Sequence, residues 1–154
     1  MWGVATLGLL LGAEARVALE VGVVRVAPSM DPQALSNTVW SYATLGRIPG
    51  VEALAALEVA VVQVGPNMNA QQVANTLWGV ATLGLTPGAA ARAALEVAVV
   101  RVGPSVNGQD MANTLWSVLN STATRGVPLP ACYRSLWRAA RRLDVDSLPD
   151  VATT

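Results

Sequence analysis

The side chains most suited to binding a charged ligand are arginines near the carboxyl terminus. The sequence has ten basic residues, all arginine, and five of them lie between positions 125 and 142. Four form a cluster: Arg134, Arg138, Arg141 and Arg142. On a helix this spacing brings them close together, and such a cluster can bind phosphate groups. A solvated terminal capping helix explains the cluster equally well, so the sequence leaves both interpretations open.

The residue types that are missing exclude most enzyme chemistry. The chain has no histidine, no lysine and one cysteine, Cys132. Without histidine there is no Ser–His or Cys–His nucleophile pair, and no plausible zinc, haem or iron–sulfur site. Without lysine there is no phosphate-binding loop of the nucleotide-hydrolase type and no Schiff base. We therefore predict no enzyme activity, no cofactor and no metal.

Acidic residues recur singly rather than in pairs. Glu20, Glu58 and Glu96 are each 38 residues apart, so they do not suggest the two carboxylates that acid–base catalysis needs in one pocket. Arg16 and Arg92 each precede a glutamate by four residues. This i, i+4 spacing on a helix favours surface ion pairs.

A 38-residue repeat sets the positions of all these side chains. Tryptophans recur at this interval: Trp2, Trp40, Trp78 and Trp116. Residues 31–68 and 69–106 agree at 22 of 38 positions, and self-similarity at this period is typical of stacked arrays. We divide the chain into four segments: a truncated first repeat (1–30), two complete repeats (31–68 and 69–106) and a degenerate last repeat with an arginine-rich terminal helix (107–154). The first repeat has no equivalent of residues 31–38, so we expect a fragment of a longer array.

Each complete repeat has the pattern of two helices. Asn69 followed by Gln72 predicts a capping box, and helix A then runs from about 70 to 83. Helix B runs from about 88 to 102. Its valine-rich end, 97–102, also has strand propensity, but the alanine-rich residues before it favour a helix. We predict an all-α fold: an α-solenoid of stacked antiparallel helix pairs.

The two helices differ in how their apolar residues are distributed. A helical wheel places Trp78 on an apolar side of helix A, and Asn75, Thr76 and Gly79 on the other side. Helix B is apolar nearly all round, so we expect neighbouring repeats to bury it on every side. No membrane span is expected, because prolines and amides interrupt the uncharged stretch at 59–91.

Two sets of side chains recur at equivalent positions of helix A in successive repeats. The four tryptophans are expected to pack in the core, although tryptophan also stacks on unpaired bases. Beside them, Asn37, Asn75 and Asn113 recur with neighbouring Gln and Thr residues. Because these side chains are the same in every repeat, they cannot encode a varied RNA sequence. We favour a structural ladder that holds neighbouring repeats in register by hydrogen bonds, with generic RNA contact as the alternative.

A position that reads bases should vary between repeats and face solvent. Two sets of positions vary: Ala34, Gln72 and Asp110 in the first turn of helix A, and Ser41, Gly79 and Ser117 two turns later. Gln and Asp side chains can hydrogen-bond the edges of unpaired bases. Neutral drift at solvated positions explains the same variation.

The repeat motif resembles a known class of protein. The stretches SNTVWSYATLG (36–46), ANTLWGVATLG (74–84) and ANTLWSV (112–118) resemble the 38-residue helical repeats of algal organellar RNA-binding proteins, the octotricopeptide-type and RAP-associated repeat proteins. The resemblance implies single-stranded RNA binding in a chloroplast or mitochondrion, in transcript stability, processing or translation. A targeting peptide would precede residue 1. The alternative function is a protein–protein interaction scaffold, which the zero net charge favours because RNA binding usually relies on cationic side chains.

Overall fold

The computed structural model describes residues 12–125, apart from the side chains of Leu115 and of residues 118–125. This part of the chain is all-helical and contains no strand. Its α-helices are α1 (Ala13–Val26), α2 (Pro32–Thr44), α3 (Val51–Val64), α4 (Ala70–Thr82), α5 (Ala89–Val102) and α6 (Gly108–Arg125). We call α2, α4 and α6 the A helices, and α1, α3 and α5 the B helices. Short 3₁₀ turns follow the B helices, at Ala27–Ser29, Gly65–Asn67 and Gly103–Ser105.

The A helices begin at capping residues, and those of α4 are the ones that the sequence predicts. In α4 the Asn69 side chain accepts from the Gln72 amide at 2.9 Å, and the Gln72 side chain accepts from the Asn69 amide at 2.8 Å. Asp31 caps α2 by accepting from the Ala34 amide at 2.7 Å. Both arrangements satisfy N–H groups that the first turn of a helix leaves without partners. The capping box is thus confirmed.

Two of the A helices, α2 and α4, are followed by glycines in the left-handed backbone region. Gly46 has a φ of 63° and Gly84 has a φ of 67°. After each glycine the chain donates back into the last turn, with the Arg47 amide bonding the Tyr42 carbonyl at 2.9 Å in α2. Glycine is favoured here because a Cβ atom destabilises this conformation. The Ala-Thr-Leu-Gly part of the motif is therefore a helix stop.

The valine-rich ends of the B helices are helical. Residues 97–102 complete α5, so the strand alternative is excluded and the helix prediction is confirmed. The predicted bounds of both helices in the repeat 69–106 fall within one residue of those observed. Local propensity decides here, because the alanine-rich first half of α5 already forms a helix that the valines extend.

Packing runs between every second helix along the chain. Among the A helices, α2 packs against α4 and α4 against α6. Among the B helices, α1 packs against α3 and α3 against α5. Contacts from α2 to α3 and from α4 to α5 join the two sets, and a single hydrophobic core cluster draws on both.

Helix A does not divide into one buried and one solvated side as the wheel predicts. Thr76 and Gly79, on the expected polar side, are both buried. The reason is that α4 packs against α2 and α6 as well as against the B helices. Small side chains suit these additional contacts because they let helix backbones approach closely.

The expectation that helix B is buried on every side is wrong. Val59 on α3 is 53% exposed, and Val97, its equivalent on α5, is 59% exposed. Neighbouring B helices pack on α3 from two sides and α2 packs on it from a third, whereas α5 contacts α3 and α4. The fourth side has no neighbour among the described residues, and its valines face solvent.

Candidate functional site

The Asn-Thr-Leu-Trp motif points its four side chains in different directions. In α4, Thr76 is fully buried and Leu77 packs against the hydrophobic core. Asn75 and Trp78 lie half-buried at the surface. Thr76 tolerates burial because its hydroxyl donates to the Gln72 carbonyl at 2.8 Å, which satisfies its polar group inside its own helix. The motif thus combines two structural residues with two that solvent reaches.

The accessible residues form a continuous stripe along each A helix, which we call the amide–tryptophan row. The row consists of Gln33, Asn37, Trp40 and Thr44 on α2; Gln71, Asn75, Trp78 and Thr82 on α4; and Gln109, Asn113 and Trp116 on α6. Offsets of four, seven and eleven residues keep side chains on one face of a helix. The glutamines and threonines are exposed, and the asparagines are half-buried. Neither α2 nor α4 carries a charged residue, so the row is polar but uncharged over these two helices.

The predicted hydrogen-bonded ladder of asparagines is not observed. No bond joins the side chains of Asn37, Asn75 and Asn113 to one another or to a neighbouring described repeat. Their backbone carbonyls are used instead, since Ser41 and Ser117 donate to the carbonyls of Asn37 and Asn113 at 2.6 Å. The three side chains are half-buried and have no hydrogen-bond partner among the described residues, which leaves their amides available to a ligand.

The sequence analysis expects the tryptophans to pack in the core, but the described tryptophans are not fully buried. Trp40 and Trp78 are half-buried, and Trp116 is 41% exposed. None of the three belongs to the hydrophobic core cluster or to the partly buried residues that pack against it. Core packing is supplied instead by Leu35, Val73 and Met111, which are at most 1% exposed.

The second set of variable positions does not face solvent. Ser41, Gly79 and Ser117 are all buried. A Cβ atom on Gly79 would lie 2.7 Å from Val39 Cγ1 and 3.0 Å from the Val39 carbonyl oxygen. The variation at this position therefore follows the space between adjacent A helices. These three residues cannot read bases where they stand.

The three residues of the first variable set differ in their exposure to solvent. Ala34 is exposed, Gln72 is half-buried, and Asp110 is only 7% exposed. The Gln72 side-chain oxygen is already bonded to the Asn69 amide. Asp110 has only one bond of the corresponding box, from its own amide to Asn107 Oδ1 at 2.8 Å, because aspartate is one methylene shorter than glutamine. These residues act in helix capping, and Ala34 alone of the three is freely accessible.

Burial raises the pKa of Asp110 above its usual range, although the Asn107 hydrogen bond opposes the shift. A carboxyl group with a raised folded pKa destabilises the fold once it ionises, and this cost disappears below its unfolded pKa, about 3.8. We expect Asp110→Asn to be more stable than the unchanged chain at pH 7, with the advantage shrinking as the pH falls towards 3.8. Urea unfolding of both proteins from pH 7 to pH 3 measures the difference. Identical pH profiles would contradict the assignment.

Two glutamates join successive repeats, a role that the sequence analysis missed. Glu20 accepts from the Gly50 amide at 3.0 Å, and Glu58 accepts from the Gly88 amide at 2.9 Å. Each glycine is the N-cap of the next B helix, where a carboxylate also complements the helix dipole. The signal was a glutamate 30 residues before a glycine in both repeats. The predicted Arg16–Glu20 ion pair is wrong because the Glu20 carboxylate has these other partners.

Tyr42 adds a second bond to the first of these junctions. Its hydroxyl donates to Glu20 Oε1 at 2.7 Å. Burial, together with the Glu20 carboxylate, raises the pKa of Tyr42 well above its ordinary value, so the phenol stays protonated and remains a donor. The equivalent residue of the next repeat is Val80, which lines an apolar cleft beside Glu58.

Several predicted site residues lie outside the described range: Trp2, Arg134, Arg138, Arg141 and Arg142. Within residues 12–125 no group of three or more metal-binding side chains occurs, and no helix in this range has the length and hydrophobicity needed to cross a membrane. The amide–tryptophan row is thus the most extensive set of repeated accessible side chains that the structure brings together on the A helices.

The chain was compared with protein-family models, with curated proteins and with solved structures, and none of the three comparisons gives a match.

Proposed function

We propose that the chain is a segment of an α-solenoid of antiparallel helix pairs with a 38-residue period. Three features support this architecture. The B helices begin at residues 13, 51 and 89, and the A helices α2 and α4 begin at 32 and 70. Contacts connect every second helix, and equivalent glutamates cap α3 and α5. Residues 31–68 and 69–106 would then be complete units of the array.

We propose that this array binds single-stranded RNA along the amide–tryptophan row, as a binding protein rather than an enzyme. The observation that carries the proposal is the recurrence of a surface tryptophan beside an unbonded asparagine amide on three adjacent A helices. Indole faces stack on unpaired bases, and amides hydrogen-bond base edges, phosphates or sugars. Successive A helices would present one such pair after another along a strand.

The resemblance to algal organellar repeat proteins adds to this proposal. It favours RNA as the ligand, a chloroplast or mitochondrion as the location, and transcript stability, processing or translation as the role. The same motif that carries the resemblance supplies the asparagine and tryptophan of the row.

The uniformity of the row favours contacts that do not depend on base identity. Each repeat offers the same Gln, Asn and Trp, and the buried serines and Gly79 add no variable contact. The row is also uncharged over α2 and α4, with Arg47 exposed just beyond the end of α2. We therefore expect stacking to supply more of the affinity than phosphate neutralisation, and a shallow dependence of affinity on salt.

A second candidate is a polypeptide bound along the same row. An uncharged row favours it, because asparagine amides can hydrogen-bond the peptide backbone of an extended segment and indoles can pack on its side chains. Such ligands are common for helical arrays. The two candidate ligands would contact the same residues, so mutations alone cannot distinguish them. Binding measurements with RNA and with peptides can.

The test measures binding of the full chain to a pool of random single-stranded RNA of about 16 nucleotides. The decisive variant replaces Trp40, Trp78 and Trp116 with leucine, which keeps an apolar side chain but removes the aromatic face. Stacking contributes about 1–3 kcal/mol per base, so we expect binding at least about 100-fold weaker. The three tryptophan-to-tyrosine changes should retain most of it.

Matched controls identify the surface that binds. Gln63→Ala alters an exposed residue on a B helix and should leave RNA binding unchanged. Circular dichroism checks that the leucine variant stays helical. Absence of RNA binding at low salt, or binding that survives the leucine changes, would reject RNA binding by the row. A pool of random peptides retained in the same tryptophan-dependent way would favour the polypeptide candidate.

A further inference from the structure

The outward side of the B helices carries an apolar surface that no other described residue covers. Six valines define it, and we call it the valine ridge: Val17 and Val21 on α1, Val59 and Val62 on α3, and Val97 and Val100 on α5. These valines are between 42% and 63% exposed. Ala55 and Ala93, both exposed, fill the positions equivalent to Val17. A contiguous apolar patch of this kind marks an interaction surface far more often than single exposed valines do.

The ridge has no charged side chain at its centre, but it has charges at its two ends. On α1, Glu14 lies in the first turn and Arg25 in the last turn, and both are exposed. Their spacing from Val21 places them on the same face of the helix. Glu52 holds the position of Glu14 on α3, and Arg101 holds the position of Arg25 on α5. The other two equivalent positions are uncharged, Gln63 on α3 and Ala90 on α5, and the Arg101 guanidinium donates to the Met68 carbonyl. Among the described B helices, α1 therefore carries both end charges, and α3 and α5 carry one each.

We propose that the valine ridge is the interface of a homodimer, in which the B helices of two copies lie antiparallel. A two-fold arrangement places the same patch against itself, which suits a surface whose centre is uncharged. With the helices antiparallel, Glu14 of one copy lies near Arg25 of the other, and the reverse contact forms at the same time. With the helices parallel and the whole ridge buried, α1 would face α5 of the other copy, so Arg25 would face Arg101 and Glu52 would face Glu52. The end charges thus select both the partner and its orientation.

The proposal is independent of RNA binding. The ridge lies on the B helices, whereas the amide–tryptophan row lies on the A helices, so loss of one interaction leaves the other intact. Dimerisation through the ridge would place two rows on opposite sides of one particle, and each would remain open.

Sedimentation equilibrium of the full chain tests the proposal at protein concentrations from about 1 µM to about 100 µM. We expect a reversible dimer. Val59→Glu combined with Val97→Glu should raise the dimer dissociation constant more than about 100-fold, because it places charges without partners in an apolar interface. The matched control, Gln33→Glu with Gln71→Glu, adds the same two charges on the opposite row and should leave dimerisation unchanged.

A charge swap tests the orientation. Glu14→Arg and Arg25→Glu should each weaken the dimer by roughly 5-fold or more, and the double variant should restore it to within about 3-fold. All four positions in these ridge variants are solvent-exposed, so helicity should be retained and is checked by circular dichroism. A monomer at every concentration, or a dimer that survives both glutamate substitutions, would overturn the interface. If the double charge variant dimerises more weakly than either single variant, the antiparallel orientation is wrong.

Discussion

Replacing Gly79 with valine is expected to lower the free energy of unfolding by about 3 kcal/mol. Gly79 lies on α4 where this helix meets α2, and a Cβ atom there would be 2.7 Å from Val39 Cγ1 and 3.0 Å from the Val39 carbonyl oxygen. The valine side chain of Val39 can shift, but the carbonyl belongs to the helix backbone. The two A helices would have to move apart, which loosens the contacts along their whole length. Urea unfolding monitored by circular dichroism measures the loss.

The same substitution elsewhere provides the control for Gly79. Gly22 is also helical, in α1, but a Cβ atom there would meet nothing within 4 Å. Gly22→Val should change the free energy of unfolding by less than about 0.5 kcal/mol, since it removes a poor helix former without a steric cost. An equal effect at the two glycines would mean that helix propensity, and not the approach of α2 and α4, explains the result.

A compensating change probes the same contact further. At the junction of α4 with α6, the positions equivalent to Val39 and Gly79 are Leu77 and Ser117. Leucine is unbranched at Cβ, so it leaves more room near the backbone than valine does. Gly79→Ser alone should be destabilising, and adding Val39→Leu should recover part of the loss. If the two substitutions change the free energy of unfolding additively, the side chains at positions 39 and 79 do not interact directly.

Leu57→Ala is the second substitution with a large expected effect, a loss of about 3 kcal/mol in the free energy of unfolding. Leu57 is 3% exposed, and it lies in the core with Val39, Tyr42 and Leu95. With Leu57 itself, these residues come from three helices, α2, α3 and α5, so truncation leaves a cavity at a junction between repeats. An apolar cleft already borders this point, and the surrounding helices are held by their own packing, which limits collapse of the cavity.

A neighbouring valine supplies the control for Leu57. Val51 lies at the start of the same helix and is 87% exposed. Val51→Ala removes side-chain carbons that solvent already surrounds, so the free energy of unfolding should change by less than about 0.5 kcal/mol. Chemical denaturation of both variants gives the comparison. A loss at Leu57 no larger than that at Val51 would be inconsistent with a core at this junction.

The sequence correctly predicted the two helices of the repeat 69–106 and where they begin and end. Asn69 with Gln72, Asp31 with Pro32, and the glycines at 46 and 84 all act locally, through hydrogen bonds within a few residues. The predicted bounds in the repeat 69–106 therefore differ from the observed ones by at most one residue. Local interactions of this kind depend little on what packs against the helix.

The sequence did not predict the surface correctly. It placed Ser41, Gly79 and Ser117 in solvent, the tryptophans in the core and the outward valines under neighbouring repeats. The structure buries the first set and leaves the described tryptophans half-buried or exposed, and it leaves Val59 and Val97 exposed. For the candidate site, only the repeat positions of the asparagines and tryptophans could be predicted, and their accessibility could not.

What the sequence by itself determined is the period, the helix boundaries and the angular position of each side chain on its helix. Only the tertiary structure decided which sides of each helix contact another helix. A helical wheel fixes directions, but burial depends on how many helices surround each one and on which sides they lie. Here α4 lies between two A helices, so Thr76 and Gly79 are buried despite their polar or minimal side chains. The B helices have no cover on their outer side among the described residues, so their valines are exposed despite being apolar.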